Sequence, residues 1–163
     1  MGQLGHYPVT GGSSSPGYAE LPSGHTAVAL ATGGEHTCAL LDNGSVSCWG
    51  RNTYGQLGGG TTFEGTSPSV GGEGAEAVVL PAGRTAVAIS AGSSHTCATL
   101  DDGNVSCWGY NQFGQLGDGS SNNTATPVIS GLSLPSGRMA VAVSAGNHHT
   151  CTVFTNSTVS CWG

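Results

Sequence analysis

The chain of 163 residues has no lysine, and its positive charge rests on Arg51, Arg84 and Arg138 alone. Only 7% of its residues are charged, against roughly 25% in ordinary soluble domains. With three cations and a formal net charge of −6, it lacks the basic footprint needed to neutralise phosphates, so nucleic acid is excluded as a partner. No run approaches the roughly 20 consecutive apolar residues of a membrane helix. Scarce Glu, Lys and Arg argue against coiled coils and helical bundles. Glycine does not recur at every third position, which removes collagen. There is no Gly-x-Ser-x-Gly elbow and no Cys-x-x-Cys, and no glycine turn is followed by the lysine of a phosphate loop. Met1–Thr10 has neither a basic start nor an apolar stretch, so no signal peptide is visible.

What the chain has is glycine, at 29 residues, and an internal repeat. The triplet His-Thr-Cys begins at positions 36, 95 and 149, so successive units are 59 and 54 residues long. GQLG recurs at 2–5, 55–58 and 114–117. Each unit reads as short strands. In the first they are Thr26 to Ala31, His36 to Leu41 and Ser45 to Gly50, with Asp42-Asn43-Gly44 as the hairpin turn between the last two. A fourth strand is expected after GQLG, at Tyr7–Thr10, Ser67–Val70 and Thr126–Ser130, where Pro8, Pro68 and Pro127 suit an edge. Four short strands at even spacing form a β-propeller blade. Strand parity puts His36, Cys38, Leu40, Val46 and Cys48 on one face, and Thr37, Ala39, Leu41, Ser47 and Trp49 on the other. Both faces carry apolar residues, as in a blade packed between neighbours.

The run AVAISAGSSHTCATLDDGNVSCWGYNQFGQLGDG (86–119) resembles the repeat of the regulator of chromosome condensation family. The resemblance implies an all-β propeller, in that family most often of seven blades. It leaves function open, because the family includes a guanine-nucleotide exchange factor for a small GTPase, secreted inhibitors of β-lactamases and surface proteins. The expected organisation is one repeat domain over 1–163. Residues 1–20 end a split blade, 21–79 are the first repeat, 80–133 the second, and 134–163 the start of the split blade. Three blades are too few to close a ring. Two readings stand: the remaining blades belong to the same polypeptide, or neighbouring copies complete one another head to tail, in a ring or a filament.

Six cysteines form three Cys-x9-Cys pairs, Cys38/Cys48, Cys97/Cys107 and Cys151/Cys161, each centred on a hairpin turn. The members of each pair are thus directly opposite on one face, within reach of a disulfide. The competing arrangements are free buried thiols and a zinc site that adds His36, although no fourth ligand recurs. Oxidised pairs point to a secreted, extracellular protein. The sequons at Asn43, Asn104, Asn122 and Asn156 agree as glycosylation candidates, against chance in a chain rich in Asn, Ser and Thr.

No catalytic, cofactor or metal residue is expected. His36, His95 and His149 hold one repeat position, which marks a structural role, and a metal role for His148 with His149 is the weaker reading. Asp101-Asp102 is better explained by turn chemistry than by acid–base chemistry. Trp49, Trp108 and Trp162 fit blade packing better than a ligand platform. Binding is expected in the loops 59–80 and 118–137, the first of which carries Phe63, Glu64, Glu73 and Glu76. The leading expectation is a non-enzymatic secreted scaffold acting through protein contacts, self-assembly included. The alternatives are a propeller that binds a protein or glycan, and an exchange factor for a small GTPase.

Overall fold

The computed structural model describes residues 18–19, 21–62, 76–130 and 138–163. It is built of antiparallel strands in three sheets. The first sheet runs β1 (Ala27–Thr32), β2 (His36–Leu41), β3 (Val46–Gly50) and β4 (Glu76–Ala77), in that spatial order. The second runs β5 (Ala86–Ala91), β6 (His95–Leu100), β7 (Val105–Gly109) and β8 (Thr124–Ile129), again in order. The third holds β9 (Ala140–Ala145), β10 (Thr150–Phe154) and β11 (Val159–Trp162) among the described residues. Each sheet is one blade, with β5 lying between β1 and β9.

Small residues suit those three strands, where the blades converge. Their register slips across Val28, Val87 and Val141, one bulge per blade at the same repeat position. Behind each comes the hairpin expected from sequence. Cys38 lies opposite Cys48, Cys97 opposite Cys107 and Cys151 opposite Cys161. All three pairs are disulfides.

The fourth strand differs from the expectation in the first blade. The edge beside Ser47 and Cys48 is taken by Ala77 and Glu76, whereas Ser106 and Cys107 pair with Ile129 and Val128. In register, Ala77 answers to Ile129, so the extra length of the first unit precedes its fourth strand rather than following it. Ser67–Val70 and Tyr7–Thr10 lie outside the described residues. Pro68 is therefore not the counterpart of Pro127: the first unit carries an insertion between GQLG and its fourth strand.

Blades pack face to face. The cystine face of the first (Cys38, Leu40, Val46 and Cys48, with Leu57 and Val78) buries against Ala86, Ala98, Leu100 and Trp108 of the second. The same face of the second (Cys97, Val105, Cys107, Leu116) buries against Ala140 and Phe154 of the third, with Trp162 half-buried beside them. This is why both faces of each hairpin are apolar.

Candidate functional site

Two polar latches cross these apolar junctions. At the first, the His36 ring meets the Thr96 hydroxyl at 2.8 Å. That hydroxyl donates to the Gln56 carbonyl at 2.9 Å, and the Trp108 indole N–H donates to the same carbonyl at 2.9 Å. At the second, His95 meets Thr150 at 2.9 Å, and Thr150 and Trp162 both donate to the Gln115 carbonyl at 2.9 Å. A threonine hydroxyl has one proton, and here the carbonyl takes it. Nε2 of each histidine therefore carries the proton it gives to threonine, which fixes the tautomer. Nδ1 of both rings is buried without a partner. A protonated Nδ1 would be a stranded buried donor, and burial lowers both ring pKa values from 6.5 to about 4. The rings are neutral at ordinary pH and act as one-way donors between blades.

GQLG supplies the carbonyls. Asn52 Oδ1 accepts from Leu57 N–H and Gln56 Oε1 from Tyr54 N–H, and Asn111 and Gln115 do the same for Leu116 and Phe113. The loop is thus wound on its own side chains. Its last glycine lies under the next blade's indole: a Cβ on Gly58 would stand 2.7 Å from Trp108 Nε1, and one on Gly117 2.5 Å from Trp162 Nε1. GQLG is thus more than a short glycine turn. The missed signal was the longer repeat Asn-x-[Tyr/Phe]-Gly-Gln-Leu-Gly, whose two amides recur in step with tryptophan and threonine one unit later.

The remaining candidates divide as follows. The sulfurs beside His36 are bonded to each other, so they are not thiolates for zinc. Asp101 and Asp102 both face Arg84, whose Nε lies 3.1 Å from Asp102. Burial raises the Asp102 pKa, but hydrogen bonds from Asn104 and the Arg84 charge outweigh it, and the net shift is downward. An acid held ionised in a turn fits the turn-chemistry expectation. Asn104 donates to Asp102, and the hydroxyl of its sequon, on Ser106, is bonded to the Val128 carbonyl. Asn43 contacts His25 and accepts from Ser45. Asn122 and Asn156 are exposed, and Asn156 accepts from the Thr158 hydroxyl at 2.7 Å. Of the loops expected to bind, Phe63, Glu64 and Glu73 lie outside the described residues. Asp118 and Ser120 close on the Asn111 amide.

A surface feature absent from the sequence reading is a row of rings. Tyr54 meets Tyr110 in a tilted pair at 4.8 Å between centroids, Tyr110 meets Phe113 at 6.1 Å, and Phe113 meets His148 at 4.9 Å. The row crosses all three blades. Phe113, at 57% exposure, presents a free face.

The two ends of the stack are unequal. On the first blade Ala39, Leu41 and Trp49 are buried, with Ala19 and Leu21 packed over them as Val78 and Leu80 pack over the second blade. On the third blade the cystine face is open. Val159 is 61% exposed, whereas its counterparts Val46 and Val105 are 1% exposed. Cys161 and His149 are exposed, and Thr37, on the first blade's outer face, is half-buried where Thr96 and Thr150 are fully buried. Among the described residues β11 has no strand on its outer edge.

Two models of the regulator of chromosome condensation (RCC1) repeat match the chain, one at residues 27–56 and 86–115, the other at 43–99 and 102–153. The ultraviolet-B receptor UVR8 of Arabidopsis thaliana is 31% identical over 157 residues, which is 94% of this chain and 32% of the receptor. The crystal structure of human WBSCR16 superposes with a TM-score of 0.81 at 25% identity, covering 99% of this chain and 41% of that one. Yeast RCC1 (Prp20), solved with Kap60 bound, superposes with a TM-score of 0.63 at 23% identity, over 84% of this chain and 32% of that one. The chain therefore spans 32–41% of the length of these similar proteins.

Proposed function

The chain belongs to the regulator of chromosome condensation repeat family, and from that premise we propose that it is a non-enzymatic scaffold of propeller blades working through protein contacts, chiefly with further copies of itself. The observation that carries this reading is one blade-to-blade interface built twice among the described residues, the cystine face of each of the first two blades buried against its successor. The open cystine face and strand edge of the third blade match the surfaces that the first two blades bury against their successors. The first blade carries the complementary outer face, already fitted with Ala19 and Leu21 in the place of a preceding fourth strand. One copy's first blade seated on another's third blade repeats an interface already present twice. Such a contact is head to tail, and it propagates as a ring or a filament. Three disulfides fit an oxidising compartment, and with the sequons they support a secreted protein.

Sedimentation of the 163-residue chain over a micromolar range tests this. Concentration-dependent assembly is expected, and a chain that stays monomeric throughout overturns it.

The ring row favours a second reading, in which Tyr54, Tyr110, Phe113 and His148 receive a protein or a glycan on one rim. Replacing Phe113 with alanine leaves assembly intact under that reading and removes binding to the rim.

A further inference from the structure

The four sequons look alike in sequence, and their hydroxyls divide them in the structure. Ser45 turns back on its own asparagine: its hydroxyl donates to Asn43 Oδ1 at 2.7 Å and its N–H to the same oxygen at 2.9 Å. Thr158 repeats both bonds on Asn156, at 2.7 Å and 3.2 Å. The other two hydroxyls are engaged elsewhere, that of Ser106 on the Val128 carbonyl at 3.1 Å and that of Thr124 on the Thr126 carbonyl at 2.9 Å. The second blade shows why. Asp102 holds the turn position of Asn43 and Asn156, and Asn104 holds that of Ser45 and Thr158. Asn104 N–H and Nδ2 both donate to the Asp102 carboxylate at 3.0 Å. Its sequon then runs into β7, where Val105 and Ser106 are buried. Asn43, by contrast, is exposed although the second blade packs against its turn, with Ala86 N–H donating to the Gly44 carbonyl at 2.8 Å. An adjoining blade leaves this position open, and Asn156 is exposed at the same place.

We propose that Asn43 and Asn156 carry N-linked glycans and that Asn104 and Asn122 do not. This rests on the secreted reading. The transfer is a substitution at an anomeric carbon. Asparagine Nδ2 bonds to C1 of the first sugar of a lipid-linked oligosaccharyl pyrophosphate, the C1–O bond breaks, the lipid pyrophosphate leaves, and Nδ2 gives up one proton. Nδ2 keeps its second proton, so Asn43 still donates to His25 Nε2, 3.2 Å away. Both turns lie at the ends of their hairpins opposite to the GQLG loops. The ring row lies at the other end, beyond Gly50 and Gly109. Glycans on the turns cover one rim and leave the rings bare on the other.

The test is to export the full chain from a eukaryotic cell behind an added leader. Peptide N-glycosidase in heavy-oxygen water then converts each glycosylated asparagine to labelled aspartate. Mass spectrometry is expected to find label at Asn43 and Asn156 and none at Asn104 or Asn122. Label at Asn104 or Asn122 to the extent seen at Asn43 overturns the proposal. So does absence of label at Asn43 or Asn156 in a chain that holds its three disulfides, and that result leaves the secreted reading standing. A chain retained in the cell with its thiols reduced overturns both. A second arm moves the site. Asp102→Asn with Asn104→Ser gives the second blade the first blade's turn and removes the sequon at 104. It should gain one glycan at position 102, and an unmodified, fully oxidised double variant overturns the rule that turn position decides.

Discussion

His36 and Thr96 stand 60 residues apart in the chain and 2.8 Å apart in space, and that bond is the buried side-chain tie from the first blade to the second. It is repeated by His95 and Thr150 at the second junction. The apolar contacts of the junctions are non-directional, so register rests on the directional groups among them: backbone bonds such as Ala86 N–H to the Gly44 carbonyl, and the buried side-chain latch. Histidine donating to threonine, and threonine to the Gln56 carbonyl, fixes one register. A repeat protein made of near-identical faces needs such a device.

Acid should release it. The folded-state pKa of both rings is about 4, below the ordinary 6.5, because burial disfavours the charged form. The unfolded chain therefore binds more protons between these values. The stability is present in full above about pH 6.5 and is lost as pH falls toward 4, by up to about 3 kcal/mol for each ring. Denaturant midpoints from pH 7.5 downward check this. His36→Asn should flatten the slope in that window relative to wild type while starting less stable. An unchanged slope would show that the ring is not titrating with unfolding.

Thr96→Val removes the hydroxyl at constant shape. It leaves His36 Nε2 with a buried proton and no acceptor, and takes one of two donors from the Gln56 carbonyl. Stranding a buried donor costs about 1–3 kcal/mol. Thr150→Val should cost about the same. Losses below about 0.5 kcal/mol at both positions would deny the latch its role between blades.

Strands, hairpins and cystines were legible because each is a local pattern. Cys38 and Cys48 flank their turn symmetrically, so counting outward from Asn43 places them opposite each other. Parity sorted the faces, and the all-β class followed from small β-branched runs and glycine turns. The fourth strand of the first blade was misplaced because Glu76–Ala77 is two residues long and carries no alternation to read. The latches were illegible for a different reason: His36, Thr96 and Gln56 are joined only by the packing of blades, and one-unit reading cannot see a bond that spans two units. The ring row shares that fate, since Tyr110 and Phe113 belong to one loop while Tyr54 and His148 reach it from the neighbouring blades.

Each disulfide closes a loop of only ten residues, so its contribution comes from restricting a short stretch of unfolded chain, about 2–3 kcal/mol. Reduction should lower the melting temperature, and the effect should be graded by position. Cys38 and Cys97 lie fully buried in the junctions, while Cys161 is exposed. Mild reductant should open Cys151–Cys161 first, leaving an intermediate with two bridges. Alkylation followed by mass spectrometry identifies which pair carries the label. Simultaneous loss of all three would mean that the third blade is as protected as the others.

The sharpest contrast lies between Val105 and Val159, which hold one repeat position in different surroundings, 1% and 61% exposed. Val105→Ser puts a hydroxyl into the second junction and removes packed methyls. It should cost about 3 kcal/mol, seen as a lower denaturant midpoint. Val159→Ser faces solvent in the isolated chain and should shift the midpoint by no more than about 0.5 kcal/mol. Its effect belongs to assembly. If the third blade's cystine face is where a second copy sits, Val159→Ser weakens association while the monomer melts as before. Val159→Ser that assembles like wild type would move the contact between copies away from this face.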